Sequence, residues 1–98
     1  MAESLHSLAD RVSDEKSLIA FISALALDRE QSVKLERKKP SKPYGPEHGG
    51  WENGSIETFL DASSAWAESS KNGLPMYQRP DNPWQRFAQI LLMGKHYE

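Results

Sequence analysis

Cysteine is absent from this chain of 98 residues, which excludes disulfide bonds, thiolate nucleophiles and cysteine-ligated metal ions. Long apolar runs are absent as well. Ile90–Met93 is among the longest, far short of the roughly 20 residues that a membrane-spanning helix needs. The N-terminus also lacks the basic start and apolar stretch of a secretory signal. We therefore expect a cytoplasmic protein without a membrane partner.

An excess of charge of one sign is missing too, because 12 basic residues face 14 acidic ones and the formal net charge is −2. This balance directs the chain to no particular partner. The distribution is uneven, however. Residues 29–44 carry a local charge of +4, so the remaining residues sum to −6. The chain is a mildly acidic body with one basic segment.

The length of the chain allows one domain, since 98 residues can bury one modest core. Three tryptophans, Trp51, Trp66 and Trp84, lie in or beside separate apolar segments. Bulky rings distributed in this way can join distant segments in one core. We therefore predict a single domain over residues 1–98.

The first main helix is predicted from an apolar stripe with the spacing i, i+3, i+4, i+7. The stripe places this helix at about 14–27, with Ser13 as a natural N-cap. The pattern also allows a more charged extension through Val33 and Leu35. A short helix near the N-terminus is predicted ahead of it. The residues of the stripe are Leu18, Phe21, Ile22 and Leu25.

The second main helix is predicted over residues 56–70. Ser55 is its N-cap, and Asn72-Gly73 supplies the stop signal. Its apolar side chains recur at helical spacing and define the face that we expect to lie in the core. The residues of this face are Ile56, Phe59, Leu60, Ser63, Trp66 and Ala67.

The third main helix is predicted over residues 83–93. Asn82 or Asp81 caps it, Pro83 occupies the favoured first position, and Gly94 closes it. We expect its apolar stripe to face inward, with Phe87 and Leu91, like Trp66 of the second helix, in the core. The residues of the stripe are Trp84, Phe87, Ala88 and Leu91.

One long irregular segment, at about 38–54, separates the first and second main helices and contains three prolines and four glycines. Prolines three residues apart share an edge of a polyproline helix, so Pro40–Pro46 is expected to be extended and stiff. No segment alternates with period two, and no strand is predicted. The predicted fold is all-α, a small bundle of three main helices plus the short N-terminal one.

Several short motifs lie within residues 51–98. They are W-E-N at 51–53, F-L at 59–60, W at 66, P-W-x-x-F-A-x-I-L at 83–91 and G-x-x-Y-E at 94–98. Together they resemble a small bacterial family known only as a domain of unknown function, and the resemblance covers roughly residues 12–98. The resemblance implies a compact, mostly helical, cytoplasmic bacterial protein, and it carries over no catalytic residue.

Candidate catalytic and metal-binding patterns are incomplete. His48-Gly49-Gly50 is similar to the oxyanion-hole loop of esterases, but the chain has no Gly-x-Ser-x-Gly turn and is too short for an α/β-hydrolase scaffold. His6, His48 and His96 are scattered, without the spacing of a metal-ligating pair on a helix. We therefore expect no catalytic residues, no metal ion and no cofactor, and the protein is not expected to be an enzyme.

The basic segment offers an alternative function in nucleic-acid binding. A basic run beside an aromatic ring is a pattern that can hold phosphates and stack a base. The run is short and the net charge is negative, so a solvated, mobile loop is the simpler interpretation. The residues of this alternative are Lys34, Arg37, Lys38, Lys39 and Lys42, with Tyr44 as the stacking ring.

The segment Trp51-Glu52-Asn53 allows two interpretations. In the first, Trp51 packs over the core while Glu52 and Asn53 make turn or cap hydrogen bonds to backbone N–H groups. In the second, the Trp51 ring is partly exposed and anchors an interface, because tryptophan is enriched among binding hot spots. We favour the first interpretation.

The function that we predict is that of a non-enzymatic protein-interaction module, an adaptor or immunity-type protein that binds another protein. Small domains of this kind often act as partners of other proteins, an argument from analogy. The surface would combine the Pro/Gly-containing segment with the acidic, solvated face of the second main helix. Its residues are Tyr44, His48, Trp51, Glu52, Glu57 and Asp61.

Overall fold

The computed structural model describes residues 4–43 and 45–97. Within these ranges there is no strand, only two isolated bridges, Glu47 with Trp51 and Leu74 with Tyr77. The predicted all-α fold is therefore confirmed. The helices are α1 (Leu5–Asp10), α2 (Glu15–Lys38), α3 (Ile56–Ser70) and α4 (Pro83–His96), with a 3₁₀ turn at His48–Gly50 between α2 and α3.

Helix α2 is much longer than the 14–27 predicted for it, and the extension allowed by the sequence is real. Residues after 27 are mostly good helix formers, and no glycine or proline interrupts them before Pro40. The N-cap is Asp14 rather than Ser13. Its carboxylate accepts the Ser17 N–H at 2.9 Å, and its own N–H is bonded to Ser17 Oγ at 3.1 Å, which completes a capping box.

Helix α3 has the predicted bounds. Ser55 caps it through a reciprocal pair of hydrogen bonds with Thr58. Past Lys71 the chain turns at Gly73, whose φ of 82° lies in the left-handed region that glycine tolerates best. Helix α4 starts as predicted, with Asn82 accepting the Trp84 N–H at 2.8 Å.

Gly94 does not close α4 as predicted, because the helix continues to His96. A side chain at position 94 would overlap Ser63 Oγ and come within 2.8 Å of Phe59 Cε2, both on α3. Gly94 therefore allows the two helices to approach closely. A glycine needed for helix packing has the same sequence signal as one that ends a helix, which explains the error.

Helix α4 is the centre of the fold. α1, α2 and α3 all pack against it, and α1 also packs against α2. In the described part of the chain α2 and α3 make next to no contact with each other. The main core lies where α1, α2 and α4 meet. Its buried residues are Ala9, Val12, Leu18, Phe21, Leu25, Trp51, Ala88 and Leu92.

The faces predicted to be buried on α3 and α4 are partly wrong. Trp66 is buried as expected and Leu91 is partly buried, but Phe87 is 49% exposed and Trp84 is also exposed. On α3 the exposed residues are Ile56 and Leu60, at 78% and 56%. Helical periodicity locates an apolar stripe but does not show what covers it, and here part of each stripe extends beyond the core.

Long polar side chains take some of the interior positions on α4. Arg86 is buried, with its guanidinium 5.0 Å from the centroid of the Trp66 ring. It donates to Ser70 Oγ at 2.9 Å, to Tyr77 Oη at 3.1 Å and to the Ala67 carbonyl at 2.9 Å. Its donors are therefore satisfied by α3 and by the segment that joins α3 to α4.

Candidate functional site

An apolar groove of about 490 Å³ opens between α2 and α3, with α4 as its floor. It forms because both helices pack on α4 while they stay apart from each other. Trp51 and the residues that lead into α3 close one end. The side chains that define the apolar groove are Ile22 and Ala26 of α2, Ile56 and Leu60 of α3, and Phe87 and Leu91 of α4.

Exposure distinguishes this groove from ordinary surface. Ile22, Ile56, Leu60 and Phe87 are all exposed although they are large and apolar. Single exposed apolar residues are common on proteins, whereas contiguous ones mark surfaces that bind something. These residues were assigned to the inward faces from the sequence, so their apolar spacing was visible but their role as an open groove was not.

Trp51 forms the end wall of the groove and is only 4% exposed. Its indole N–H donates to Asp28 Oδ2 at 2.8 Å. The Arg29 guanidinium and the Lys95 ammonium each lie 5.4 Å from the ring centroid. The interpretation in which Trp51 packs over the core is confirmed, and the ring is not an exposed interface anchor.

Two ion pairs surround Trp51. Lys95, with a side chain only 6% exposed, donates to Asp28 Oδ2 at 2.8 Å and joins α4 to α2. Arg29 donates to Glu47 Oε2 at 2.8 Å and to the Gly54 carbonyl at 3.0 Å, joining α2 to the segment before α3. We call Trp51, Asp28, Arg29 and Lys95 the Trp51 corner. Its contacts fix the position of one end of the groove.

Asn53 binds the C-terminal end of α4. Its side-chain amide donates to the carbonyls of Gly94 at 3.0 Å and Tyr97 at 2.7 Å, and the Glu52 N–H donates to the Lys95 carbonyl at 3.0 Å. The prediction that the Asn53 side chain bonds to backbone N–H groups is wrong, because it donates to backbone carbonyls instead. An amide can donate as well as accept, and the free carbonyls at a helix end need donors.

The segment between α2 and the 3₁₀ turn is attached to α2 through Glu36. The Glu36 carboxylate accepts the Ser41 N–H at 2.8 Å, the Ser41 hydroxyl and the His48 N–H at 3.1 Å. These bonds, that of the Ser41 hydroxyl above all, hold the pKa of Glu36 below its usual value. A ring nitrogen of His48 lies 2.6 Å from the Lys39 carbonyl. Tyr44, named above for both functions, lies outside the described residues.

The solvent-facing side of α3, next to its groove-lining side, is acidic. Helix α3 carries three carboxylates and no basic residue. Glu68 is paired with Lys71 at 2.7 Å. Glu57 and Asp61 are exposed as predicted and make no ion pair with any residue that the structure describes. Glu57 and Asp61 each follow a groove-lining residue, Ile56 or Leu60, by one position, which turns them about 100° around the helix onto the adjacent solvent-facing side of α3, and neither lines the groove. We call this pair of carboxylates the acidic edge.

The basic segment lies largely on a helix rather than in a mobile loop. Lys34, Arg37 and Lys38 belong to the last turns of α2, and Lys39 and Lys42 follow directly. All five are exposed, and Lys34 lies 3.5 Å from Glu30. Cations in the last turn of a helix also complement its dipole, so their position has a structural reason.

The described residues contain no group of three or more histidine, aspartate or glutamate side chains arranged to hold a metal ion. His6 and His96 stack with ring centroids 5.5 Å apart, between α1 and the end of α4. Burial lowers the pKa of His96, and the charges of Lys95 and His6 lower it further. None of the helices in these ranges has both the length and the apolar character to cross a membrane.

These features define a small helical domain with an open apolar groove and an acidic edge. A family model described as a family of unknown function, DUF7660, matches residues 14–98, and the chain belongs to this family. The match includes α2, α3, α4 and therefore the whole groove, whereas α1 precedes it. No curated protein and no solved structure gave a match. The predicted resemblance to a domain of unknown function is confirmed.

Proposed function

We propose that this protein is a non-enzymatic interaction module of the bacterial cytoplasm, an adaptor or immunity-type protein that binds another protein in its apolar groove. One observation carries the proposal. Large apolar side chains on three helices are contiguous and exposed at the place where α2 and α3 separate. A surface of this kind gains free energy when a partner removes it from water.

The size of the expected gain is adequate for binding. Complete burial of a Leu, Ile or Phe side chain contributes about 1.5–3 kcal/mol. Ile22, Ile56, Leu60 and Phe87 are each about half exposed or more, so covering them would contribute roughly 3–6 kcal/mol before the entropy of association is subtracted. Contacts to the rest of the partner would add to this value.

The lining of the groove suits binding rather than acid–base chemistry. Of the described residues that line it, Arg29 alone is ionisable, and its guanidinium is already bonded to Glu47 and Gly54. The apolar side chains stand on helices held by the α4 core, so the surface is largely preformed. The predicted surface is modified accordingly. Glu57 and Asp61 each lie one position beyond a residue that lines the groove, while Trp51 forms its end wall.

Affinity capture with groove variants tests the proposal. Tagged protein would be incubated with a lysate of its own cells after nuclease treatment. We expect one stoichiometric protein partner with the wild-type chain, lost with Leu60→Asp because a charge then lies in the groove. Leu27→Asp is the matched control, since Leu27 is 54% exposed against 56% for Leu60, lies on a helix and does not line the groove.

Circular dichroism and thermal unfolding establish that both variants fold, as expected for substitutions of exposed side chains. A partner that survives Leu60→Asp but is lost with Leu27→Asp would place the interface elsewhere and contradict the proposal. A Lys38→Glu/Lys39→Glu variant tests the alternative. If the chain retains nucleic acid without nuclease and loses it only with this variant, nucleic-acid binding replaces protein binding as the function.

A further inference from the structure

We infer that the occupant of the apolar groove is an amphipathic helix of the partner whose apolar face is bordered by lysine or arginine. This inference rests on the proposed function and adds the chemistry of the partner. Three features support it: the spacing of the apolar side chains in the groove, the gap between α2 and α3 above α4, and the charge of the acidic edge.

The spacing fits a helix. Each wall presents two apolar side chains four residues apart, which are neighbours on successive turns. Rows of side chains at i and i+4 are the ridges that pack between the ridges of another helix. Two turns correspond to a contact about 10 Å long, enough for two or three turns of a partner. The pairs are Ile22 with Ala26, Ile56 with Leu60, and Phe87 with Leu91.

The position fits a helix as well. Helices α2 and α3 lie against α4 with a gap between them, so a helix in the gap would contact all three and complete a bundle of four. The small side chain of Ala26 allows such a helix to come close to α2. Within residues 4–43 and 45–97 there is no strand whose edge could accept an extended peptide as an added strand.

The acidic edge selects the charge of the occupant. Glu57 and Asp61 are again four residues apart, beside Ile56 and Leu60, and their carboxylates have no ion-pair partner among the described residues. Lysine or arginine flanking the apolar face of a partner helix would complement the charge of the acidic edge. A second copy of this chain, packed groove to groove, would not supply these cations. Among the described residues that line the groove or directly adjoin a lining residue, the cations are Arg29, paired with Glu47, and Arg86, buried against Trp66.

Binding of two designed peptides to the full chain tests the inference. Both peptides have about 18 residues, since shorter helices are marginal in water, and both carry leucines at i, i+3, i+4, i+7. One has lysines and the other glutamates beside the leucines. By fluorescence anisotropy we expect the lysine peptide to bind about tenfold more tightly than the glutamate peptide, with the difference shrinking as salt is raised.

Charge variants test whether the acidic edge causes the preference for the lysine peptide. Glu57→Gln/Asp61→Asn should weaken binding of the lysine peptide about threefold to tenfold, the range expected for two exposed ion pairs. The matched control is Asp10→Asn/Glu68→Gln, which changes the net charge equally at positions outside the groove lining. Leu60→Asp should abolish binding of both peptides.

Each contrary result has a defined meaning. Equal affinity for the two peptides, or equal effects of the two charge variants, would overturn the basic-helix inference, while a Leu60-dependent cellular partner would still support the proposed function. Binding by neither peptide would overturn the helical occupant. Self-association in sedimentation equilibrium that Leu60→Asp removes would show that a second copy fills the groove. Insensitivity of the captured partner to Leu60→Asp would overturn the proposed function itself.

Discussion

The Trp51 corner and the apolar groove are adjacent, yet they distribute polarity in opposite ways. In the corner, charged side chains are buried or half-buried and each has a partner, as Lys95 has in Asp28. In the groove, apolar side chains such as Leu60 and Phe87 are exposed, and no element of residues 4–43 or 45–97 covers them. The corner therefore holds α2, α4 and the segment before α3 together, whereas the groove leaves apolar surface in contact with water, which is the surface that the proposed function assigns to a partner.

The largest expected effect contrasts two aromatic residues, one from each region. Trp51→Ala should lower the free energy of unfolding by about 4 kcal/mol, because a buried ring and a buried hydrogen bond to Asp28 are lost. Phe87→Ala should lower it by about 1 kcal/mol, since Phe87 is already 49% exposed to water. Urea unfolding of both variants measures the difference. Equal losses would remove the distinction between the two regions.

The buried ion pair gives the next effect. Asp28→Ala should cost about 3 kcal/mol, because the ammonium of Lys95 and the indole N–H of Trp51 then lose a shared acceptor inside the protein. Asp28→Leu/Lys95→Met, which removes both charges, should cost less than Asp28→Ala. Thermal and urea unfolding compare the variants. If the double variant is less stable than Asp28→Ala, the loss in Asp28→Ala does not come from leaving the Lys95 ammonium unpaired.

How much of this could be predicted from the sequence depends on whether the signal is local. The bounds of α3 follow from Ser55 and from Asn72-Gly73, which act within a few residues, and they were predicted correctly. The burial of Lys95 depends on Asp28, 67 positions earlier in the chain, and no local pattern announces it. The contacts of the Trp51 corner could therefore not be predicted from the sequence, apart from the packing of Trp51 over the core.

The groove failed to be predicted for a different reason. Leu60 and Phe87 stand at helical spacing with truly buried residues, so periodicity assigns them to the core. The core is limited by what can pack around α4, and it is filled partly by Arg86 and Lys95. Apolar residues beyond that limit remain on the surface. Such a surplus is visible only once the arrangement of the helices is known.

The close contact between α3 and α4 at Ser63 and Gly94 offers a smaller effect. Ser63 Oγ is buried and has no hydrogen-bond partner among the described residues, so Ser63→Ala should raise the stability by up to about 1 kcal/mol. Gly94→Ala should lower it by about 2 kcal/mol, because the added methyl group overlaps Ser63 and Phe59. Combining the two substitutions should recover part of the loss in urea unfolding. No recovery would mean that Phe59, and not Ser63, limits the approach of the helices.

The smallest expected effect is a pH dependence of the unfolding free energy that peptide affinity in the groove should not share. His96, next to Lys95, has a pKa lowered by burial and by the charges of Lys95 and His6, with Asp28 acting in the opposite direction. The unfolded chain therefore binds the His96 proton more readily than the folded chain does. The contribution of neutral His96 to the unfolding free energy is present above the ordinary pKa of 6.5, and it is lost as the pH falls from 6.5 through the lowered pKa of the folded chain.

The unfolding free energy should therefore decrease between about pH 8 and about pH 5.5, and less so with His96→Gln. Equal decreases in the wild-type protein and in His96→Gln would show that His96 does not contribute to the pH dependence of the unfolding free energy. The groove lining contains no histidine, aspartate or glutamate among the described residues. Where the chain remains folded, peptide affinity in the groove should therefore stay constant over the interval in which the unfolding free energy declines.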